Sequence, residues 1–110
     1  MRLSVIGTLI ALLAIGGAAD GTQDTEAKAT SEGRRLFTGG TTPSCAVCHT
    51  LRDAGGSGKV GPDLDELKPD AARVANAVQN GFENMPAFGN ALSPAQIDAL
   101  ARYVAGAVRE

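Results

Sequence analysis

The chain has 110 residues, with ten basic and twelve acidic side chains and a formal charge of −2 at pH 7. That length bounds it to one domain, and the lack of any basic stripe excludes a nucleic-acid binder. With three Phe, one Tyr and no Trp, the aromatic supply for a core is thin, and a domain this small is expected to need a staple such as a disulfide, a metal or a large cofactor.

Residues 1–19, MRLSVIGTLIALLAIGGAA, carry Arg2, then an apolar run, then the small residues Gly17, Ala18 and Ala19 ahead of Asp20. This is the layout of a secretory signal peptide cut after Ala19. The apolar run is short for a spanning helix, so no membrane span is expected after cleavage. Cleavage removes one basic residue and no acidic one, leaving 91 residues with a charge of −3. An acidic domain is steered toward a basic patch on a partner.

Residues 20–30 are polar and lack apolar periodicity, and read as a flexible lead-in. The folded domain is expected over 31–110. Gly33, Leu36 and Phe37 fall at i, i+3, i+4, which suits a short helix packed by one face and ended by Gly39 and Gly40. The composition of 50–61, TLRDAGGSGKVG, predicts a loop. A helix follows in which Pro69 fits the first turn, Leu67, Ala71, Val74 and Val78 share a face, and Asn80-Gly81 closes the end. Ser93-Pro94-Ala95-Gln96 is a capping box with proline at the first helical position. Beyond it, Ile97, Leu100, Ala101, Val104 and Val108 form an apolar stripe. No run alternates like a strand, so the expectation is an all-α domain of short helices joined by long loops.

Both cysteines and the only histidine stand together in CAVCH at 45–49. A thiol–disulfide redox motif would need a strand before it and a helix after it in a βαβ setting, and the sequence offers neither. Structural zinc wants four ligands, and this chain supplies three Cys and His in total, two of them adjacent. The direct reading of C-x-x-C-H is covalent haem attachment, with Cys45 and Cys48 spent as thioethers and His49 beneath the iron. The opposite axial position then needs a ligand. No second histidine exists, and Met85 is the only methionine outside the leader. It lies in NMPAF, off any periodic apolar face, where a Met serving only as core filler is not expected.

CAVCH at 45–49, GPDL at 61–64 and MPAF at 85–88, in that order, resemble a small bacterial class I cytochrome c. Gly33 and Phe37 in the first helix and Tyr103 in the last look like that family's helix-crossing contact. The resemblance covers about residues 31–108. It implies the class I cytochrome c fold, short helices wrapped around one covalently attached haem c. It also implies thioethers from Cys45 and Cys48, His49 and Met85 as iron ligands, and the carbonyl of Pro62 accepting from the other ring nitrogen of His49. The aromatic residues Phe37, Phe82 and Phe88 are then expected in packing.

An iron closed on both faces leaves one-electron chemistry. The expectation is therefore a periplasmic electron carrier and not an enzyme. Its partners would be redox proteins, a dehydrogenase donor and an oxidase or other cytochrome acceptor, met at the small or apolar Ala46, Val47, Pro86 and Ala87. Two alternatives stand beside this. One is a dedicated haem subunit of a periplasmic dehydrogenase, since 66–81 and the Met85 loop look similar to the haem subunits of molybdenum sulfite dehydrogenases. The other is a small-ligand binder or weak peroxidase, which requires Met85 to leave the iron.

Overall fold

The computed structural model describes residues 20–110 together with Gly7, Ile10 and Ala11. The signal-peptide reading of residues 1–19 otherwise lies outside the described residues. Among the described residues no helix is long and apolar enough to cross a membrane.

Helices α1 (Asp20–Gly39) and α5 (Pro94–Ala107) form the frame. They cross at Gly33, where a Cβ would overlap the Cβ of Tyr103 and lie 2.5 Å from the carbonyl oxygen of Ala99. Only hydrogen fits there, so the missing side chain lets the two backbones touch. One turn further along α1, Leu36 and Phe37 are each 1% exposed, a burial worth roughly 1.5–3 kcal/mol per side chain. Phe37 meets Tyr103 edge to face, with ring centroids 6.5 Å apart. The expected stripe of α5 is buried along its length, from Ile97 to Val108.

Helix α1 is longer than expected. The polar segment 20–30, expected as a flexible lead-in, is its first half. Of residues 23–31 only Ala29 is even half-buried, so these turns rest on good helix formers such as Glu26, Ala27, Lys28 and Ala29 and not on packing. That is why no apolar period announces them.

Between the frame helices lie α2 (Cys45–Cys48), α3 (Leu64–Leu67) and α4 (Ala71–Asn80). The segment expected as a loop contains two short strands, β1 (Thr50–Leu51) and β2 (Gly56–Ser57), paired antiparallel across a 3-10 turn at Arg52–Ala54. Strands of two residues cannot display an alternation, so the all-helical expectation missed them. Pro69 does not open α4 as expected. It precedes the N-cap, which is Asp70, whose carboxylate accepts from the backbone N–H of Arg73 at 2.8 Å. Leu67 belongs to α3 and Val78 is the buried residue of α4. Gly81, at φ 73°, ends α4 as expected. The capping box of α5 is complete: Ser93 Oγ accepts from the Gln96 N–H and Gln96 Oε1 accepts from the Ser93 N–H.

Two long-range ties set where these pieces sit. The Lys68 ammonium donates to the Val108 carbonyl at 2.7 Å. Arg109 answers by donating to the carbonyls of Lys68, Pro69 and Ala105. This clasp satisfies late carbonyls of α5 and pins the link into α4. The second tie runs from the Tyr103 hydroxyl to Asp53 Oδ2, joining α5 to the 3-10 turn.

Burial first, and then the Asp53 carboxylate, push the Tyr103 phenol up. An unfolded tyrosine ionises near pH 10. Above that pH the unfolded chain therefore binds fewer protons than the native one, and stability falls as pH rises. Tyr103→Phe is expected to cost about 1–2 kcal/mol at neutral pH and to flatten the decline that starts at about pH 10. Thermal melts of both proteins from pH 7 to pH 11 check this, and parallel curves would remove Tyr103 from the alkaline response.

Candidate functional site

Helix α2 is a single turn, so Cys45 and Cys48 lie at i, i+3 on one face. Both are free cysteines. Burial raises the Cys45 pKa, which keeps its thiol neutral. The backbone leaves the helix at His49, which is extended at φ −118° and ψ 139°, while its N–H still donates to the Cys45 carbonyl at 2.9 Å. The turn thus ends by swinging the imidazole away from the helix axis.

The imidazole is held on two sides. Its Nδ1 lies 2.8 Å from the Pro62 carbonyl oxygen. A carbonyl can only accept, so Nδ1 carries the proton and donates, which leaves Nε2 as the nitrogen a metal would take. Gly61 lies flat against the ring: a Cβ there would stand 2.5 Å from Cε1, 2.8 Å from Nδ1 and 3.0 Å from Nε2. The Gly61 N–H donates to the Cys48 carbonyl at 2.7 Å. Gly58 packs on the backbone of Val47 and Cys48, where its Cβ would overlap the Val47 carbonyl, and the Thr50 hydroxyl donates to the Gly58 carbonyl at 3.0 Å. The β1–β2 hairpin therefore braces the CAVCH turn from behind.

Cys45, Cys48 and His49 stand on one helical turn and its exit, and the Pro62 carbonyl is brought to the His49 ring. Met85 lies on a separate loop, half-buried, and packs on the same core as Cys45 and Ala46. That loop is closed by a two-way bridge, Phe82 N–H to the Met85 carbonyl and Met85 N–H to the Phe82 carbonyl. Phe88 is buried as expected, whereas Phe82 is 69% exposed and does not join the core. It follows Gly81 and so lies off the face that α4 buries.

The roles of Gly58 and Gly61 in seating the histidine were missed from sequence. The signal was there in the glycine density of GGSGKVG, because glycine recurs where backbone must approach closely. The donor set fits a haem held by C-x-x-C-H: two unpaired thiols on one helical turn, and an imidazole whose spare nitrogen is a free donor. It does not fit structural zinc. Among the described residues no group of three or more His, Cys, Asp and Glu side chains converges.

The family described as cytochrome C oxidase, cbb3-type, subunit III, matches residues 28–104. The chain belongs to the class I c-type cytochromes. Cytochrome c6 from Bumilleriopsis filiformis is 41% identical over 81 residues, spanning 66% of this chain and 84% of that one. Cytochrome c6 from Pyropia yezoensis is 33% identical over 94% of this chain and 90% of the relative. The crystal structure of the c-type cytochrome SorU from Sinorhizobium meliloti aligns with a TM-score of 0.72 and 48% identity, covering 74% of this chain and 93% of that one. The fold is accordingly that of a class I cytochrome c, and the cytochrome is an electron carrier. Membership implies haem c as the cofactor and redox proteins as partners.

Proposed function

We propose that this cytochrome is exported to the periplasm and moves single electrons between redox proteins through one haem c. Cys45 and Cys48 hold it by two thioethers, and His49 and Met85 are the iron ligands. The observation that carries this reading is the hydrogen bond from His49 Nδ1 to Pro62. It spends one ring nitrogen, orients the other for metal, and makes the imidazole a stronger donor. Haem held by these residues would supply reversible one-electron chemistry.

The chain's own residues do the rest. Gly61 and Pro62 keep the imidazole from rotating. Met85 is offered from a short loop bridged to itself, and Phe88 and Gly89 donate their N–H groups to the Val78 and Gln79 carbonyls of α4. A loop tied at both ends favours a methionine that stays in place over the ligand-binding reading. Val47 is 63% exposed, and Pro86 and Ala87 are exposed beside Met85. These side chains suit the small, weakly held interfaces of redox encounters.

Production of the full chain with a haem-maturation system tests the reading. Haem that stays with the denatured protein, and a thioether-to-ferric-iron charge-transfer band in the native one, are expected in the periplasmic fraction. A colourless protein with free thiols would return CAVCH to thiol chemistry. Covalent haem without the band would move the function toward ligand binding. Release of any partner in high salt marks a mobile carrier, whereas a partner retained there marks the dedicated dehydrogenase subunit.

A further inference from the structure

Gly81 sits where α4 ends and the Met85 loop begins. Its φ of 73° is a left-handed conformation that side-chain-bearing residues rarely adopt. A Cβ on it would lie 2.8 Å from the Met85 carbonyl oxygen, 3.0 Å from the Ala87 nitrogen and 3.2 Å from the Pro86 carbonyl carbon. All three are backbone atoms, so no side-chain rotation relieves the crowding. The space left by the missing Cβ is therefore filled by the backbone that follows the Met85 side chain, from its own carbonyl to the Ala87 nitrogen.

The other end of the loop is built alike. Gly89 donates its N–H to the Gln79 carbonyl, and a Cβ there would lie 2.7 Å from that same oxygen. Phe88 donates to the Val78 carbonyl at 2.7 Å, and Gly81 to the Ala77 carbonyl at 2.8 Å. The Gly81 bond is the last turn of α4 closing on its own cap, while the next two carbonyls, of Val78 and Gln79, accept from the far end of the loop. Such carbonyls lack partners inside their own helix, so helix end and loop complete each other. The closure is tight enough to hold Glu83 at φ 51° within the Phe82–Met85 bridge.

We propose that Gly81 and Gly89 are positioning residues for Met85, a backbone latch that seats the loop on the end of α4 and keeps the thioether from yielding its place to outside ligands. This inference rests on Met85 being an iron ligand. A side chain at either glycine pushes the loop off α4 without touching Cys45, Cys48 or His49.

The test uses haem-loaded full-length protein, with imidazole as the probe ligand titrated into the ferric state. Gly81→Ala is expected to bind imidazole with a midpoint at least tenfold below wild type and to show a weakened charge-transfer band. Tyr103→Phe, destabilised at a junction outside the loop, is expected to keep the wild-type midpoint. A folded Gly81→Ala with unchanged band and midpoint overturns the latch, as does an equal shift in Tyr103→Phe. If Gly81→Ala does not accumulate, Gly89→Ala carries the same expectation and the same power to refute it. Met85→Ala separates the two ideas. Its loss of the band supports the ligand assignment, and a retained band would remove that assignment and the latch with it.

Discussion

Gly61→Val is expected to unseat His49 and raise the reduction potential. The glycine lies so close to the imidazole that its Cβ would be within 3.0 Å of three ring atoms. The ring cannot step aside freely. Its Nδ1 is bonded to Pro62, and its backbone N–H to Cys45. Valine adds bulk beyond Cβ, so the ring turns and the Pro62 hydrogen bond breaks. That bond makes the imidazole more basic and so favours ferric iron. Its loss weakens the donor, and ferrous iron gains. Partners of this kind are worth about 10–100-fold in metal affinity. Falling wholly on the ferric state, a loss of that size shifts a one-electron couple by roughly 60–120 mV. Potentiometry on haem-loaded protein checks it, and a folded variant with wild-type potential and spectrum would show that Gly61 and the Pro62 bond do not set the potential.

Gly33→Val is expected to be the most damaging change away from the site. The substituted carbon would meet the Cβ of Tyr103 and the Ala99 carbonyl, and neither can move unless α5 moves. Overpacking typically costs 1–3 kcal/mol, and a clash with backbone places this one at about 3 kcal/mol. For a domain of this size that lowers Tm by roughly 12–24 °C. The damage spreads because the crossing also aligns Phe37 with Tyr103, and Tyr103 with Asp53. Differential scanning calorimetry of the two holoproteins would show the loss, and equal Tm values would mean that the helices can cross elsewhere.

The sequence by itself determined whatever is encoded over a few residues. CAVCH places two thiols and an imidazole within one helical turn and its exit. Ser93 to Gln96 starts α5 by capping that acts over a single turn, and the stripe from Ile97 to Val108 names its buried face. The order of CAVCH, GPDL and MPAF carried the family, and with it the partnership of His49 and Pro62, which the structure places at 2.8 Å.

Only the tertiary structure decided how these pieces lean on one another. Tyr103 finds Asp53 fifty positions away, and Arg109 reaches Lys68 and Pro69 across forty or so. Such partners depend on the helix crossing and leave no local pattern. The first half of α1 has no buried stripe to reveal it, and the two-residue strands are too short to alternate. Phe82 reads as core by residue type but is exposed, because the turn after Gly81 points the chain out of the face that α4 buries. Glycines 33, 58, 61 and 81 show why in one residue type. Each is required by a neighbour's position in space, and a missing side chain says that something comes close without saying what.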